Sequence, residues 1–257
     1  QAGHWIEEGS AKLKHKNGKA YYEGKISHFS TWNADVLFET VTLTGCVEDL
    51  EGRPVSSVNI LAKGSDYNAE TTAQVDSEGH FEIQVKPNST VLISGDSFDG
   101  SKTNTVKISV DSKDKTLSPC LILADSPITI KLTWNDQLKD LDSHFKQVIS
   151  NDVDTKKVYV HYSKKGELKS FPYTRLDVDD RKYYGPEIIT NFKILPGTYR
   201  YFVRNFTGKP KLGKSDAVVE LNLDGEIHRF NVPPNHSEKD WQVFTLEVNQ
   251  IGIVSVQ

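Results

Sequence analysis

The stretch His80-Phe81-Glu82-Ile83-Gln84-Val85 carries the pattern that decides the fold class. Apolar and polar residues alternate along it, which places Phe81, Ile83 and Val85 on one face of an extended chain. The turn sequence Asp76-Ser77-Glu78-Gly79 comes directly before it, as expected where one strand ends and the next begins. The stretch therefore predicts a half-buried β-strand.

Short alternating runs of this kind extend along the chain in both directions, and Gly, Pro, Asn and Asp residues separate them. Almost no stretch has the 3.6-residue period of an amphipathic helix; a short helix near residues 138–148 is the exception that we expect. The spacing of the runs predicts an all-β protein built from two tandem antiparallel β-sandwiches. The clearest runs are residues 42–47, 55–62, 106–110, 128–132, 158–162, 197–203, 217–223, 227–232 and 241–248.

The length of 257 residues suggests two domains, at roughly 100–200 residues per domain. The turn sequence Ala124-Asp125-Ser126-Pro127 is the predicted boundary between a first sandwich, residues 38–125, and a second, residues 126–257. Residues 1–37 contain a strand-like run but are too few for a core of their own. We predict that this short N-terminal β segment packs on the adjacent domain or is the end of a domain truncated upstream.

Composition and charge exclude several classes of function. The net charge of −4 is spread along the chain, which lacks the basic footprint of a nucleic-acid binder. No apolar run approaches the roughly 20 residues that span a bilayer, so we predict no transmembrane segment. The chain contains no Met and starts at Gln1 without a basic and apolar leader, from which we expect a mature form or an excised fragment of a longer protein.

Cys46 and Cys120 are the two cysteines of the chain. Two cysteines fit one disulfide in an oxidising compartment and equally two free, buried thiols, so their number leaves both alternatives open. Three Asn-x-Ser/Thr triplets begin at Asn88, Asn205 and Asn235. They are glycan acceptors only where the source cell glycosylates its proteins.

Three motifs follow one another between residues 41 and 123: Leu43-Thr44-Gly45-Cys46-Val47, Gly52-Arg53-Pro54-Val55 and Asp76-Ser77-Glu78-Gly79-His80-Phe81. In this order the stretch resembles the carboxypeptidase-regulatory-like domain, a transthyretin-like sandwich. The first and last strands of that fold lie close together. The resemblance therefore implies a disulfide between Cys46 and Cys120.

Residues 128–256 contain a second ordered set of motifs: Leu132-Thr133-Trp134, Asp140-Leu141-Asp142-Ser143-His144-Phe145, Leu176-Asp177-Val178-Asp179-Asp180, Tyr184-Gly185-Pro186-Glu187, Gly197-Thr198-Tyr199 and Trp241-Gln242-Val243-Phe244. The stretch resembles the YfaP-like domain of bacterial envelope and secreted proteins. This resemblance implies a fold and an extracellular or cell-surface location rather than an activity. Together the two resemblances imply transthyretin- or immunoglobulin-like sandwiches.

Acidic residues in the second predicted domain form the strongest candidate for a binding site. Asp140 and Asp142 are two residues apart, and so are Asp177 and Asp179, a spacing that places each pair on one face of an extended chain. Carboxylates gathered at one edge of a sandwich would repel each other unless a cation bound them, and Ca²⁺ takes six to eight oxygen ligands. The candidate calcium ligands are Asp140, Asp142, Asp177, Asp179, Asp180 and Glu187.

The alternative interpretation is that these carboxylates lie in solvated turns and strand faces and form ion pairs. Arg175, Arg181 and Lys182 are close in sequence and favour that alternative. The chain has no EF-hand loop pattern, and its eight His residues are scattered without a zinc-binding spacing. Calcium is therefore the one cofactor that the sequence suggests.

Tyr183, Tyr184 and His144 are the candidate ligand-binding residues. The two tyrosines precede Gly185-Pro186 in a predicted loop beside acidic residues, where exposed rings could stack on a sugar or contact a protein. Packing of the rings into the fold is the alternative. His144 is two residues from Asp142, but such neighbours on an extended segment do not form a catalytic dyad, and a structural hydrogen bond is the alternative role of His144.

The chain is predicted not to be an enzyme, because it contains no G-x-S-x-G elbow, no phosphate-binding loop and no dinucleotide-binding fingerprint. We predict an extracellular structural or interaction module of a cell-surface or secreted protein, an adhesin-like spacer or binding region. Its partner would be a protein or a glycan. A carbohydrate-binding module is the alternative, and a hydrolase accessory domain is a third hypothesis.

Overall fold

The computed structural model describes residues 10–16, 18–26, 39–125, 128–150, 154–182, 184–250 and 254–256. The chain divides into two compact units, Gln1–Glu39 and Thr40–Gln257. Within the described residues, regular structure consists of β-strands and a single 3₁₀ turn at Leu212–Lys214. The prediction of an all-β protein is confirmed.

The first unit contains a two-stranded antiparallel hairpin of β1 (Ala11–Lys16) and β2 (Lys19–Gly24). Every described residue of these strands is exposed. Residues 1–9 and 27–37 of the predicted N-terminal segment lie outside the described residues. The packing of this segment on another domain therefore stays a prediction.

The second unit begins with a region of nine described strands, which we name the first β-region. The pairing order is β10-β3-β11-β8-β7-β4-β5, with β6 on β3 and β9 on β7. Most pairs are antiparallel, but β3 pairs in parallel with β10 and β11. The strands are β3 (Val41–Glu48), β4 (Val58–Gly64), β5 (Glu70–Gln74), β6 (His80–Val85), β7 (Ser89–Ser97), β8 (Lys102–Thr103), β9 (Val106–Val110), β10 (Lys115–Thr116) and β11 (Leu121–Ala124).

The core of the first β-region follows the alternation of its sequence. Phe81, Ile83 and Val85 of β6 are buried in one apolar cluster with Leu43 of β3 and Ile60 of β4. The intervening residues of β6 are exposed. The half-buried strand predicted at residues 80–85 is confirmed.

Cys46 and Cys120 form a disulfide, with their Cα atoms 4.7 Å apart. Cys46 lies in β3, and Cys120 immediately precedes β11, the strand that pairs with β3. The predicted disulfide is confirmed. It ties the first strand of the region to its last.

The remaining strands form the second β-region, in which two sheets enclose one apolar core. The sheet orders are β15-β16-β17-β12-β19-β20 and β14-β13-β18-β21-β22. The strands are β12 (Ile128–Thr133), β13 (Leu141–Ser150), β14 (Thr155–Val160), β15 (Gly166–Glu167), β16 (Thr174–Val178), β17 (Glu187–Asn191), β18 (Gly197–Asn205), β19 (Val218–Leu223), β20 (Glu226–Asn231), β21 (Asp240–Val248) and β22 (Val254–Val256).

The short helix expected near residues 138–148 is wrong, because most of that stretch forms strand β13. The apolar residues of this stretch recur every four positions, which resembles a helical period: they are Leu141, Phe145 and Ile149. In the strand, all three point into the core. The inward positions between them hold Ser143 and Gln147, which are also buried. Ser143 Oγ bonds the Tyr201 hydroxyl, and Gln147 donates to Thr174, so polar residues occupy the alternate core positions.

The two cores lie on either side of Asp125, whereas the compact units divide after Glu39. The three predicted domain ranges, 1–37, 38–125 and 126–257, therefore stay a prediction. The two β-regions also share a small apolar cluster of their own. It consists of Ala124, Leu168 and Phe192, with Leu50 and Ile122 packed against it.

Candidate functional site

Glu187 connects the two sheets of the second β-region. It is the first residue of β17 and is fully buried (0% exposed). Its Oε2 accepts a hydrogen bond from the backbone N–H of Ser143, which belongs to β13 in the opposite sheet. Strand β14 pairs with β13 only from Phe145 onward, so the N–H of Ser143 is free for this bond.

Glu187 and three further carboxylates are linked by charge: Asp142 and Asp179 act on Glu187, and Asp140 and Asp179 act on Asp142. Burial first, and then the charges of Asp140 and Asp179, raise the pKa of Asp142 to about 7, although Arg204 and Arg181 oppose the rise. Burial also raises the pKa of Glu187 well above its ordinary value; the hydrogen bonds of Ser143 oppose this, and the charges of Asp142 and Asp179 add to it. We name Asp140, Asp142, Asp179 and Glu187 the acidic cluster.

The pKa of Asp140 is raised for the same reasons, first by burial and then by the charge of Asp179. Three separate segments of the chain supply the cluster. Asp140 immediately precedes β13 and Asp142 is its second residue, Asp179 follows the last residue of β16, and Glu187 begins β17. Carboxylates whose charges act on one another favour the neutral state, because each charge opposes the ionisation of the others.

Each member of the acidic cluster has one buried oxygen without a hydrogen-bond partner among the described residues. The atoms are Asp140 Oδ1, Asp142 Oδ2, Asp179 Oδ1 and Glu187 Oε1. Asp142 is 3% exposed, and the Asp179 side chain is buried as well. Polar atoms in such surroundings are costly unless something satisfies them.

Basic side chains neutralise the acidic cluster only in part. Asp179 Oδ2 lies 3.0 Å from Lys165 Nζ and 3.4 Å from Arg181 Nη2, which leaves its buried Oδ1 unoccupied. Arg204 stands opposite Asp142 in the β13–β18 pairing, but its guanidinium makes a two-bond contact with Asp240, at 2.7 and 2.6 Å. The basic neighbours are thus largely engaged with oxygens other than the four buried ones.

Asp177 and Asp180 are not part of this cluster. Asp177 Oδ2 accepts a hydrogen bond from the backbone N–H of Thr105 in the first β-region (3.3 Å), and burial raises the pKa of Asp177 to about 7. Asp180 pairs with Lys107 of β9 and influences the cluster only by raising the pKa of Asp140. Both carboxylates instead contact the first β-region.

The predicted shared face of Asp177 and Asp179 stays a prediction, although the two side chains have different partners: Asp177 accepts a bond from Thr105, and Asp179 pairs with Lys165 and Arg181. The pairing of β16 with β17 shifts register between Leu176 and Val178, which is a bulge at Asp177. Asp179 comes after Val178, the end of the strand, so the alternation of β16 no longer directs its side chain.

No group of three or more His, Cys, Asp or Glu side chains among the described residues is placed to hold a metal ion. The four unpartnered carboxylate oxygens are buried, but their residues do not form such a group. The predicted calcium site therefore stays a prediction.

His144 lies among aromatic side chains and is 2% exposed. Its ring stacks on Phe202 at 4.7 Å between centroids, and its Nδ1 is hydrogen-bonded to the Tyr159 hydroxyl at 2.6 Å. Burial, followed by the charge of Arg204, lowers the pKa of His144 to about 4. The imidazole is therefore neutral near pH 7, and its burial keeps it out of reach of a ligand in this conformation.

Tyr184 is 60% exposed, with a backbone φ of 64°, and its carbonyl accepts a hydrogen bond from the N–H of Trp134. The bond holds the backbone of the loop while the ring faces solvent. Tyr183, the other candidate, lies outside the described residues. Of the predicted ligand-binding residues, Tyr184 is the one that the structure places where a ligand could touch it.

The sequence reasoning missed an aromatic group at the ends of strands β14 and β18. Tyr162 and Phe206 are partly exposed and meet edge to face, with ring centroids 6.0 Å apart. Tyr159 and His161 continue this group at 4.5 Å. The alternation of residues 158–162 was a usable signal, because the positions opposite the buried Val160 are Tyr159 and His161.

The three Asn-x-Ser/Thr triplets differ in accessibility. Asn205 is buried, and its Nδ2 donates to the carbonyl of Pro210. Asn88 and Asn235 are exposed. In the folded chain, only these last two offer an accessible amide for glycan attachment.

A serine lies beside a carboxylate in this region, as the hydrolase hypothesis would need. Ser143 contacts Glu187 through its backbone N–H, but its Oγ is directed to the Tyr201 hydroxyl at 2.8 Å. Ser143 is also buried. Its hydroxyl is therefore out of reach of a substrate in this conformation.

No family model matches the chain, and no curated protein matches it. A solved structure with some likeness is the full-length major pilin SpaD from Corynebacterium diphtheriae. The identity is 10% and the TM-score is 0.30, over 84% of this chain and 68% of the pilin chain. A TM-score this low carries no conclusion about fold or function. Among the helices of the described residues, none has the length and apolar character needed to cross a membrane.

Proposed function

We propose that this chain is a non-enzymatic structural module of a cell-surface or secreted protein, in which the two β-regions form one rigid spacer that presents loops to a partner. The observation that carries the proposal is the contact between the two β-regions. Covalently linked domains move relative to one another unless the interface between them is substantial. Apolar, ionic and buried polar contacts all contribute to this interface.

The apolar part of the contact is the cluster of Ala124, Leu168 and Phe192. Ala124 ends β11 of the first β-region, whereas Leu168 and Phe192 belong to the second. All three are buried. Their burial removes apolar surface from water at the point where the chain passes between the regions, which stabilises one relative orientation.

Charged and polar contacts extend the interface on both sides of that cluster. Lys169 Nζ lies 2.6 Å from Glu48 Oε1, and Lys107 pairs with Asp180. The carboxylate of Asp177 accepts the N–H of Thr105. Exposed ion pairs contribute only about 0.2–1 kcal/mol each, so their main effect is to select the orientation that satisfies all of them together.

The disulfide supports an extracellular location, because disulfides persist mainly in oxidising compartments. It joins residues 74 positions apart in the sequence and stabilises the first β-region by restricting the unfolded chain. The resemblances of residues 41–123 and 128–256 to extracellular domain families are further support for the proposal.

The rigid spacer can be tested by a distance measurement between the two β-regions. Spin labels at Lys63→Cys and Glu238→Cys would occupy exposed positions, one in each region. We expect a narrow distance distribution in the parent chain and a broader one after Phe192→Ala. A matched control is Phe98→Ala, because Phe98 is 96% exposed and lies away from the cluster. A broad distribution in the parent chain would overturn the proposal.

Glycan binding is a second candidate function, favoured by the exposure of Tyr184. An exposed ring in a loop beside carboxylates is a surface on which a sugar can stack. The test is a screen of the folded chain on immobilised glycans, repeated with Tyr184→Ala. Binding that survives this substitution, or no binding at all, would remove Tyr184 as a glycan contact.

A further inference from the structure

We propose that strands β14, β13 and β18 bind an acidic polysaccharide on their outer surface, through Lys146, Lys157 and Arg200, which we name the basic face. This binding role goes beyond the spacer function and does not depend on it, because all three residues belong to the second β-region. It is also independent of Tyr184, which lies in the loop before β17.

Strand pairing places the three basic residues side by side. Lys146 of β13 stands directly opposite Arg200 of β18, and Val148, two positions along β13, stands opposite Lys157 of β14. All three basic residues are exposed. Phe145, the neighbour of Lys146, is buried in the core, so the alternation of the strand directs Lys146 to the outer surface of the sheet.

The basic face forms no ion pair with a carboxylate of the described residues. Two carboxylates of the adjoining strand β21 are already engaged. Asp240 makes a two-bond contact with Arg204, and Glu247 accepts a hydrogen bond from the Thr198 hydroxyl at 2.8 Å. The cations of the basic face are therefore available to an anion from outside the described chain.

The juxtaposition of Lys146 and Arg200 contributes nothing to the stability of the fold. Like charges directly opposite each other in a sheet are destabilising. Basic residues on an edge strand discourage pairing with other chains, but β13 and β18 are interior strands of their sheet, so edge protection does not explain this pair. A bound anion would relieve the repulsion between the two cations.

Aromatic rings beside the cations favour a sugar polymer among acidic partners. Lys146 Nζ lies 5.1 Å from the ring centroid of Tyr159 and 5.0 Å from that of Phe202, and these contacts hold the ammonium between β14 and β18. Beyond Tyr159 the rings continue through His161 to the partly exposed Tyr162. Exposed rings offer apolar surface on which a sugar can stack, while the cations bind its carboxylate or sulfate groups.

The experiment is calorimetric titration of the full chain, at low ionic strength, with polygalacturonate, dextran sulfate and neutral dextran. We expect at least one of the two acidic polysaccharides to bind and neutral dextran not to bind. The affinity should fall as salt is added, because salt screens exposed charges. Polyglutamate supplies charge without sugar rings, and it should bind at least about threefold more weakly because it offers the aromatic rings less to stack on.

Arg200→Gln and Lys157→Gln should each weaken binding about twofold to fivefold, as expected for the loss of one exposed ion pair. Arg200→Gln should not lower the Tm, because it removes a repulsion with Lys146. Arg229→Gln is the matched control: it removes the same exposed charge from β20, in the opposite sheet, and should bind as the parent does. Tyr162→Ala should weaken binding without changing its dependence on salt.

Absence of binding to both acidic polysaccharides would overturn the proposal, and so would equal binding of neutral dextran. Polyglutamate that binds as tightly as the better polysaccharide would identify an acidic protein as the fitting partner and overturn the assignment to a polysaccharide. Equal affinities of the parent, Arg200→Gln and Lys157→Gln would place the anion elsewhere. A lower Tm of Arg200→Gln would contradict the repulsion on which the proposal rests.

Discussion

Ser143 and Glu187 join the two sheets of the second β-region through a hydrogen bond from a backbone N–H to a carboxylate. The bond forms where β14 ends and leaves β13 without a neighbour on that side. A carboxylate thus completes the hydrogen bonding of a strand edge inside the protein. The same side chain keeps a second oxygen unpartnered, so one residue serves the fold and creates the candidate site.

Replacement of Glu187 should separate these two roles. In chelator at neutral pH, Glu187→Ala leaves the N–H of Ser143 unsatisfied in a buried place, and we expect a loss of about 1–3 kcal/mol in the free energy of unfolding. Glu187→Gln keeps an acceptor and removes a charge that neighbouring carboxylates oppose. We expect it to unfold at no lower urea concentration than the parent. Equal destabilisation by Ala and Gln would contradict this account.

The disulfide should account for a large share of the stability of the first β-region. Cys46→Ala with Cys120→Ala opens a loop whose ends are 74 residues apart, and we expect a loss of roughly 4 kcal/mol in the free energy of unfolding. Urea unfolding with and without reductant measures the effect. The double variant is also the control, because reductant should not change its free energy of unfolding. If reductant did lower that free energy, the effect of reductant on the parent could not be assigned to the disulfide.

The ion pair of Lys169 and Glu48 should contribute little on its own. Both side chains are partly exposed, so Lys169→Glu should cost no more than about 1 kcal/mol, and Glu48→Lys in the same chain should recover part of that loss. By contrast, Phe192→Ala removes a buried ring and should cost about 3 kcal/mol or more. Urea unfolding of all four proteins provides the comparison. A charge reversal that costs as much as the loss of the ring would contradict the view that apolar contact dominates.

Asp240 should make stability depend on pH in acid. Its hydrogen bonds with Arg204 hold the pKa of Asp240 below the ordinary value of 3.8; partial burial opposes this, and the charges of Arg204, His144 and Lys239 assist. Because the pKa of Asp240 is lower in the folded state, the stabilisation that its contact with Arg204 provides is fully present above the ordinary pKa. That stabilisation is lost as the pH falls through the pKa of the folded state. The carboxylate is 42% exposed, so the effect should be small.

Asp240→Asn tests this dependence, because it removes the titrating group and keeps the side-chain shape. We expect the difference in unfolding free energy between parent and variant to shrink as the pH falls below about 4. Urea unfolding at several acidic pH values measures it. A difference that is constant across the acid range would show that the Arg204 contact does not depend on the charge of Asp240.

Alternation in the sequence predicted the strands wherever the inward positions are apolar. Phe81, Ile83 and Val85 follow this rule and are buried as predicted. The rule failed at β13, where Ser143 and Gln147 occupy inward positions. Polar residues can do so because Tyr201 and Thr174, which come from other strands, satisfy them. Those partners are distant in sequence, so no local pattern reveals them.

The spacing of the acidic residues in the sequence did not predict which partners their side chains contact. The binding site predicted from their spacing stays a prediction, although the charges of Asp140 and Asp179 raise the pKa of Asp142 and those of Asp142 and Asp179 raise the pKa of Glu187. Asp177 and Asp180 instead contact the first β-region, through Thr105 and Lys107. Strand β16 has a bulge at Asp177 and ends at Val178, one residue before Asp179. Neither feature has a period that could be read from the sequence.

By itself, the sequence determined the all-β class, because the two-residue period of a half-buried strand is a local property of neighbouring residues. It also supplied the two cysteines and the acidic segments. Only the tertiary structure decided that Ser143 meets Glu187, 44 positions away, and that Asp140, Asp142, Asp179 and Glu187 each keep one buried oxygen without a partner among the described residues. The physical reason is that contacts between sheets depend on how the strands pair and where they end, which is set by the packing of the whole region.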